Sequence, residues 1–249
     1  MTRRIACPVK ISSIVPAFNE EKFLGETLEQ IKSASNVLRQ TGWETELIVC
    51  DNHSQDRTAE IARAAGATVV FEPVNQISRA RNAGAAAATG DWLVFVDADS
   101  HPSPELFADM AQEIQAGDCL AGGSVIRWDQ AHFVTAIVTS VVNVGFRWRR
   151  ILYGAFIFVQ TSVFRKLGGF SCEAFAGEDM ELSRRLKRLS KETGKRFVIL
   201  HRHPIITSAR RLKDFTVLSP LLLAAHVVFN PHACITSREA ARRWYDGHR

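Results

Sequence analysis

Short apolar runs rich in β-branched and aromatic residues alternate with helical patterns through the first half of the chain. This alternation restricts the fold more than any other feature. The run Trp92–Val96 is apolar at every position, which is typical of a parallel strand covered on both faces. A strand–helix–strand order predicts an α/β fold with a mostly parallel sheet and right-handed crossovers. The predicted strands are residues 11–15, 46–50, 67–71, 92–96 and 196–200, and the predicted helices are residues 23–38, 56–65, 80–89 and 104–115.

Length and composition place the chain among ordinary globular proteins. Its 249 residues are 46% hydrophobic and 23% charged, which suffices for one large domain with a sizeable core. The five cysteines are scattered without a CxxC pair, so we expect neither a disulfide framework nor a structural zinc site, and a reducing cytoplasm as the compartment. The apolar runs fall short of the roughly 18–20 residues that span a bilayer.

Positive charge is concentrated toward the C-terminus. The net charge is +5, and residues 201–249 contain eight Lys and Arg against three acidic residues, so this segment accounts for the whole excess. A basic face suits the phosphate groups of a nucleotide, a lipid or a nucleic acid. A solvated basic tail has the same composition and stays open as the alternative.

Three polar segments that contain carboxylates each follow a predicted strand: residues 16–21, 51–56 and 97–100. Ligands of open α/β sheets bind beyond the carboxyl ends of the strands, so we expect the three segments to converge on one cleft. Asp97 and Asp99 flank a single residue directly after the buried run. Two hard oxygen ligands at that spacing suit Mg²⁺ or Mn²⁺ shared with substrate phosphates.

Gly-rich phosphate loops are absent from the sequence. It contains neither GxGxxG after the first predicted strand nor GxxxxGK[ST], which disfavours a Rossmann dehydrogenase and a P-loop NTPase. A diphosphate bound by this chain would have to be neutralised by metal and arginine instead.

Five motifs in order carry a resemblance to a known family. IVPAFNEE, LIVCDNHSQDRT, SRARNAG, GDWLVFVDADS and GGF followed by GEDMEL cover about residues 11–186. This pattern resembles the family 2 glycosyltransferases of the GT-A fold, of the non-processive bacterial type. The resemblance implies a Rossmann-like, single GT-A domain over residues 1–200, with a nucleotide-binding half at about 8–100 and an acceptor half at about 101–200. Residues 201–249 would be a basic, helical extension that packs on or caps the active site.

The resemblance places the nucleoside of a nucleotide-sugar donor on the first two motifs. Pro16, Ala17 and Glu20 would pack around it, and Asp51 would accept a hydrogen bond from the base, usually uracil. The second motif commonly reads DDGS in this family, and His53 stands here at the glycine position. The Asp51 contact makes UDP-sugars the favoured donors, and the departure at His53 keeps GDP-mannose open as the alternative.

The remaining acidic motifs would supply the metal site and the base. Asp99 would hold Mn²⁺ or Mg²⁺ on the diphosphate, and Asp97 would approach the ribose or the metal. Asp179, in its pair with Glu178, would be the general base at the start of a helix, where the helix dipole also favours acidic residues. His203 is a further candidate metal ligand or, equally, a strand-end residue.

Arginines are the candidates for the diphosphate. Arg79 and Arg81 could each face the diphosphate or the base, and the sequence does not choose between them. The processive signature QxxRW is absent, and residues 207–211 read TSARR instead. Arg210 and Arg211 suit a diphosphate or an anionic acceptor because guanidinium groups match phosphate oxygens.

These residues predict an inverting, metal-dependent hexosyltransferase. A base is needed for the acceptor hydroxyl, neutralising groups for the leaving diphosphate, and an in-line arrangement of the reacting atoms. We expect a glycan or lipid-linked acceptor, a place in cell-envelope glycan synthesis, and no nucleic acid partner, since the acidic segments would repel its phosphates. The alternatives are a retaining mechanism, a sugar nucleotidylyltransferase and a non-catalytic basic module at a membrane surface; an oligomer stays open.

Two apolar segments are candidates for peripheral contact with the inner face of a membrane. Residues 133–146 precede Arg147, Trp148, Arg149 and Arg150, and residues 215–229 form the second segment. Apolar residues beside Arg and Trp suit a helix that lies in a membrane interface. Both segments could equally be core helices, and the second could form an oligomer contact.

Overall fold

The computed structural model describes residues 9–130, 133–173 and 175–210, in which a single eight-stranded sheet is flanked by helices. The strands are β1 Lys10–Ala17, β2 Glu44–Asp51, β3 Thr68–Phe71, β4 Trp92–Val96, β5 Ser100–His101, β6 Cys119–Trp128, β7 Phe156–Gln160 and β8 Arg196–Thr207. The helices are α1 Leu24–Gln40, α2 Thr58–Ala64, α3 Ile77–Ala87, α4 Pro104–Gln115, α5 Phe133–Arg149, α6 Thr161–Lys166 and α7 Glu178–Thr193. The strand order is β3-β2-β1-β4-β7-β6-β8-β5.

The first half of the sheet is entirely parallel. β1 pairs with β2 on one side and β4 on the other, and β2 pairs with β3. α3 approaches β1 closely because Gly84 has no side chain: a Cβ there would lie 2.5 Å from Cγ2 of Ile14. The predicted parallel α/β arrangement of the first four strands is confirmed.

The second half of the sheet is mixed. β7 is antiparallel to both β4 and β6, and the short β5 is antiparallel to β8, whereas β8 is parallel to β6. β7 therefore joins the parallel half of the sheet to a second group of strands, β6, β8 and β5, against which α5 and α7 pack. Parallel pairs still outnumber antiparallel ones among the described strands, as predicted.

The core covers both faces of the sheet. Trp92, Val94 and Val96 belong to one buried apolar cluster with α1 and α4, whereas Leu93 and Phe95 belong to a second cluster on the other face. This alternation follows from the two-residue period of a strand, and it confirms that β4 is buried on both sides. Each such side chain contributes roughly 1.5–3 kcal/mol by burial.

Helix bounds agree with the sequence patterns to within a few residues. Residues 104–115 are confirmed at both ends. Pro104 starts α4, and Oγ of Ser103 accepts a hydrogen bond from the amide of Leu106 at 3.2 Å. α3 begins three residues earlier than predicted and ends two residues earlier. These differences do not move any motif off its predicted element.

β8 is longer than predicted. It continues past residue 200 to Thr207, so the sheet crosses the boundary that we placed at residue 200. Residues 201–203 are exposed and polar, and the register with β6 shifts beside them. The polar residues interrupt the apolar pattern from which the strand was predicted. Of the basic extension, residues 211–249 lie outside the described residues.

Within the described ranges, no helix is long and apolar enough to cross a membrane. The apolar segment 133–146 forms most of α5, which has 17 residues. The second apolar segment, residues 215–229, lies outside the part of the chain that the structure describes.

Candidate active site

The loops that follow β1 and β2 are joined by hydrogen bonds. The amide of Asn19 donates to Oγ of Ser54 at 3.0 Å, and Oδ1 of Asn19 accepts from the amide of Gln55 at 2.8 Å. Asn19 and His53 both have positive φ, 53° and 70°, which is the conformation that favours glycine. His53 therefore adopts the backbone geometry of the glycine that it replaces.

The segment after β4 joins the same edge of the sheet. The hydroxyl of Thr27 in α1 donates to the carbonyl of Ala98 at 2.8 Å. Arg210 contacts both Asp99 and Glu20, so it connects the third segment to the first. The predicted convergence of the three polar segments is confirmed.

A cavity of about 250 Å³ opens where these segments meet. Its walls come from the strand-end segments, from α3 and the residues before it, and from the segments that precede β7 and α7. The lining residues are Pro16, Ala17, Phe18, Glu20, Asn52, Asn75, Ile77, Ala80, Arg81, Asp97, Ala98, Asp99, Gly154, Phe175, Ala176, Gly177, Glu178 and Asp179.

Arg81 lies in the wall of the cavity, where it joins Asp97 to Glu178. It projects from α3, and its side chain is only 1% exposed. Nη2 donates to Oδ1 of Asp97 at 2.8 Å and to the carbonyl of Gly154 at 3.2 Å, and Nη1 donates to Glu178. Burial opposes the charge of Arg81, but the nearby carboxylates outweigh it and raise its pKa above the ordinary value. Arg81 thus stays cationic in the interior.

Gly154 fits this arrangement because it has no side chain. A Cβ at this position would lie 2.6 Å from Nη2 of Arg81. The amide of Gly154 donates to Oδ2 of Asp179 at 2.9 Å, while its carbonyl accepts from Arg81. One residue therefore positions both the buried cation and the candidate base.

Asp179 stands in the first turn of α7. Its Oδ1 accepts from the amide of Met180 at 2.8 Å, in addition to the bond from Gly154. Burial, and then the neighbouring charge of Glu178, raise the pKa of Asp179 to about 7, although Arg81 and the two amides oppose the shift. This carboxyl group therefore titrates near neutral pH.

Arg210 does not line the cavity itself but contacts two carboxylates that do, Asp99 and Glu20. Its Nε donates to Oδ2 of Asp99 at 2.9 Å, its Nη2 donates to Oε1 of Glu20 at 2.6 Å, and its guanidinium lies 4.6 Å from the ring centre of Phe23. Both carboxylates are buried. Arg210 thus neutralises acidic groups at the predicted metal and nucleoside positions.

Several predicted site residues lie elsewhere. Asp51 is buried at the end of β2, where Oδ1 accepts from the amide of Ser54 at 3.0 Å, and it does not line the cavity. Arg79 is exposed and donates to the side chain of Gln76 at 3.2 Å, so the structure brings Arg81 rather than Arg79 to the cavity. Arg211 lies outside the described residues.

His203 is not brought to the cavity. It lies exposed on β8, and Nδ1 is 3.0 Å from Oδ2 of Asp109 on α4. Among the described residues, no group of three or more His, Cys, Asp or Glu side chains could hold a metal ion. Asp97 and Asp99, the two carboxylates predicted to hold a metal ion, both line the cavity.

Sequence reasoning missed Gly154 and Asn52. The Asn52 side chain donates to the carbonyls of Glu72 and Val74 and accepts from the amide of Gln76, so it fixes the segment that leads into α3. Asn52 stands in a quoted motif and could have been named. Gly154 carries no motif, and only its contact with Arg81 reveals its part in the site.

The fold and this site define a glycosyltransferase of the GT-A type. The sequence profile of the family described as Glycosyl transferase family 2 matches residues 12–170, more than half of the chain, so the chain belongs to that family. The family assignment confirms the predicted class of protein, a family 2 glycosyltransferase. A curated relative, the uncharacterized glycosyltransferase EpsJ of Bacillus subtilis, is 34% identical over 110 residues, or 42% of this chain and 30% of that relative. The chain thus spans under a third of the length of this relative.

Two solved structures share the fold. The mannosyltransferase PcManGT of Pyrobaculum calidifontis, in complex with GDP-Man and Mn²⁺, has a TM-score of 0.66 at 20% identity, over 89% of this chain and 70% of that one. The glucosyl-3-phosphoglycerate synthase of Mycobacterium tuberculosis, in complex with Mg²⁺ and UDP, has a TM-score of 0.61 at 22% identity, over 87% of this chain and 79% of that one. At these identities the similarity shows the fold alone.

Proposed function

We propose that this glycosyltransferase moves a sugar from a UDP-sugar to a hydroxyl acceptor with inversion, and that Asp179 is the general base. One observation carries the proposal. In the cavity wall, Arg81 pairs with Asp97 and Glu178, whereas Asp179 is held by backbone amides and has its pKa raised to about 7. A carboxylate whose pKa lies near the working pH can take a proton from a hydroxyl and pass it on to water.

The carboxylates around Arg81 then differ in role. Glu178 and Asp97 keep Arg81 charged and fixed, and that cation limits how far the pKa of Asp179 rises. Asp179 removes the acceptor proton as the hydroxyl attacks the anomeric carbon. A base on the acceptor side implies a single displacement, and therefore inversion. A retaining mechanism is the alternative.

Asp97 and Asp99 fit a divalent metal ion. They supply hard carboxylate oxygens at the strand ends, and Mg²⁺ typically uses one or two carboxylates together with substrate phosphates. Among the described residues no three His, Cys, Asp or Glu side chains are grouped so that they could hold a metal ion, so the ion would bind together with the donor. When bound, Mn²⁺ or Mg²⁺ would neutralise charge on the leaving diphosphate. The complexes of PcManGT with Mn²⁺ and of the mycobacterial synthase with Mg²⁺ support this assignment.

The donor nucleotide is the next part of the proposal. Pro16, Ala17 and Glu20 line the cavity, and Asp51 precedes Asn52, which also lines it. A base at this end of β2 would meet the Asp51 segment, where a carboxylate can accept from N3–H of uracil. UDP in the mycobacterial synthase supports this donor class, and GDP-Man in PcManGT supports the alternative of GDP-mannose.

A nucleotide panel tests the proposal. The shift of Tm is measured with UDP, GDP, CDP and dTDP, each with and without Mn²⁺, for the wild type and for Asp99→Asn. Glu60→Gln, on the exposed surface of α2, is the matched control. We expect UDP to stabilise the wild type and the control in the presence of Mn²⁺, and the effect to be lost in Asp99→Asn.

Other outcomes have distinct meanings. If GDP binds about tenfold more tightly than UDP, the proposed donor would change from a UDP-sugar to GDP-mannose. Stabilisation by no nucleotide, or stabilisation of Asp99→Asn equal to that of the wild type, would contradict the proposed site.

A further inference from the structure

One face of α5 carries an unbroken stripe of exposed apolar side chains. Phe133, Ile137, Val141, Val144 and Trp148 are 80%, 49%, 68%, 68% and 81% exposed. Their spacing of three or four positions places them in one line along the helix. Large exposed apolar residues grouped in this way mark an interaction surface.

The opposite face of α5 is fixed to the domain. Asn143 exchanges two hydrogen bonds with the backbone of Ile126 in β6, at 3.3 and 2.9 Å. Phe146 is buried and stacks on Tyr153 with a centroid distance of 4.3 Å. These contacts set the rotation of the helix, so the apolar stripe faces outward.

A basic cluster adjoins the end of the stripe. A cavity of about 590 Å³ between the end of α5 and α7 contains six cationic side chains and one carboxylate, Glu192, which pairs with Arg188 at 2.9 Å. The cations of this basic cluster are Arg149, Arg150, Arg184, Lys187, Arg188 and Lys191. Burial, and then the charges of Arg149, Arg150 and Lys191, lower the pKa of Lys187, as expected where cations repel one another.

We propose that the apolar stripe and the basic cluster together form a docking surface for a bilayer that contains anionic phospholipid. Helices that lie in a membrane interface combine an apolar face with Lys and Arg, and Trp148 stands where the stripe meets the cluster. Cations near such a surface are attracted by its negative potential. The stripe would enter the headgroup region while the cluster contacts the lipid phosphates.

The positive charge of the basic cluster favours a lipid bilayer over two other occupants of the docking surface, a second copy of the chain and the chain's own residues 211–249. A symmetric dimer through this face would cover the apolar stripe but would bring no new anionic group to the basic cluster, because a two-fold interface uses the same patch on both subunits. Residues 211–249 contain six Lys and Arg against three acidic residues, so a cover formed by them would add positive charge rather than neutralise it. A bilayer surface supplies both the apolar environment and the anions.

The docking surface lies close to the candidate active site. Asp179 stands in the first turn of the helix that carries Lys187 and Lys191, which follow it by about 12 and 18 Å along the axis at 1.5 Å per residue. Gly154 follows the end of α5 by five residues. Docking would hold the cavity near the lipid headgroups, where a lipid-linked acceptor is found; this last consequence rests on the proposed function.

Vesicle flotation tests the docking surface. The wild type is mixed with vesicles of phosphatidylcholine alone, or of phosphatidylcholine and phosphatidylglycerol in equal parts. We expect flotation with the mixed vesicles, weakened by salt. Val141→Asp should abolish it, and the double variant Arg188→Glu/Lys191→Glu should lower the affinity by roughly tenfold or more. Arg63→Glu/Lys32→Glu, with the same change of net charge on α1 and α2, should float as the wild type does.

The same set of variants distinguishes the other occupants. Equal flotation of the wild type and Val141→Asp, or no flotation of the wild type, would overturn the proposal. A lower Tm of Val141→Asp would show that the stripe is buried within the chain, and a wild-type dimer that this variant dissociates would show a second copy; each overturns it too. Asp179→Asn should float normally, so a failure of the proposed chemistry would not be mistaken for a failure of docking.

Discussion

Nε of Arg210 donates to Oδ2 of Asp99 at 2.9 Å, so the arginine that follows β8 pairs with the second aspartate of the predicted metal site. The backbone supports the pair, because the amide of Ser208 donates to the carbonyl of Asp99 at 3.1 Å. Arg210 therefore balances the charge of a carboxylate that we propose as a metal ligand. Metal binding and the position of Arg210 should be coupled.

Replacing Arg210 tests this coupling. Arg210→Ala leaves the buried carboxylates of Asp99 and Glu20 without their shared cation, which should cost about 3 kcal/mol. At 2–4 °C per kcal/mol, Tm should fall by roughly 6–12 °C without metal. Mn²⁺ should then raise Tm more in the variant than in the wild type, because it replaces the lost charge. Arg210→Lys, which keeps the charge, should show a smaller fall.

An unchanged Tm in Arg210→Ala, together with an unchanged response to Mn²⁺, would show that the arginine and the metal are independent. The measurement is a thermal denaturation series with increasing Mn²⁺, performed without nucleotide.

Gly154→Ala tests the close packing of Gly154 against Arg81 in the cavity wall. The added Cβ would lie 2.6 Å from Nη2 of Arg81, so the guanidinium must shift and alter its contacts with Asp97 and Glu178. We expect a destabilisation of about 1–3 kcal/mol, as for overpacking, and a clear loss of turnover. The matched control is Gly25→Ala, where the nearest atom to the new Cβ would be Cγ2 of Ile61 at an ordinary 3.8 Å.

Urea denaturation and nucleotide release from the donor are measured for both glycine variants. Equal stability and turnover of the two variants would show that Gly154 does not position Arg81.

The raised pKa of Asp179 predicts a dependence of rate on pH. Since the base must be ionised, kcat/KM for nucleotide release should fall by about tenfold per pH unit below about 7 and level off above it. This fall of kcat/KM below about pH 7 should be absent in Asp179→Asn. A rate that stays constant down to pH 5 would assign the base elsewhere.

The raised pKa of Asp179 also predicts that the stability of the fold decreases with rising pH, whereas the rate increases. Between the ordinary pKa of an aspartate and about 7, the folded state holds a proton at Asp179 that the unfolded chain releases. Wild-type stability should therefore decrease as pH rises through that range. Asp179→Asn should lack this decrease and be the more stable protein at pH 8.

Sequence patterns located Glu20, Asp97 and Asp99 because these acidic residues follow strands. The run Trp92–Val96 is apolar throughout, so its end, and hence the position of Asp97 and Asp99, could be read directly. Arg81 could also have been chosen over Arg79, since Gly84, Ala85 and Ala88 lie three, four and seven positions after Arg81 and are small residues that face the sheet.

Other features depend on contacts between distant residues. Gly154 meets Arg81 from a position 73 residues away, and nothing in its local sequence indicates this. The pairing of His203 with Asp109 depends on the extension of β8 beside α4, which the polar residues 201–203 conceal. The apolar residues of α5 were compatible with a core helix or a surface helix until the polar contacts of Asn143 fixed its rotation.

The central claim is that Asp179 acts on the acceptor hydroxyl and not on the donor. Asp179→Asn keeps the shape of the side chain but cannot take the proton. Calorimetric titration with UDP and Mn²⁺ is compared with the rate of sugar transfer for the wild type and this variant. We predict that the nucleotide Kd stays within about threefold while turnover falls by roughly 10²–10⁴, the range for losing a general base. Near-normal turnover in Asp179→Asn would contradict the account and favour a retaining mechanism.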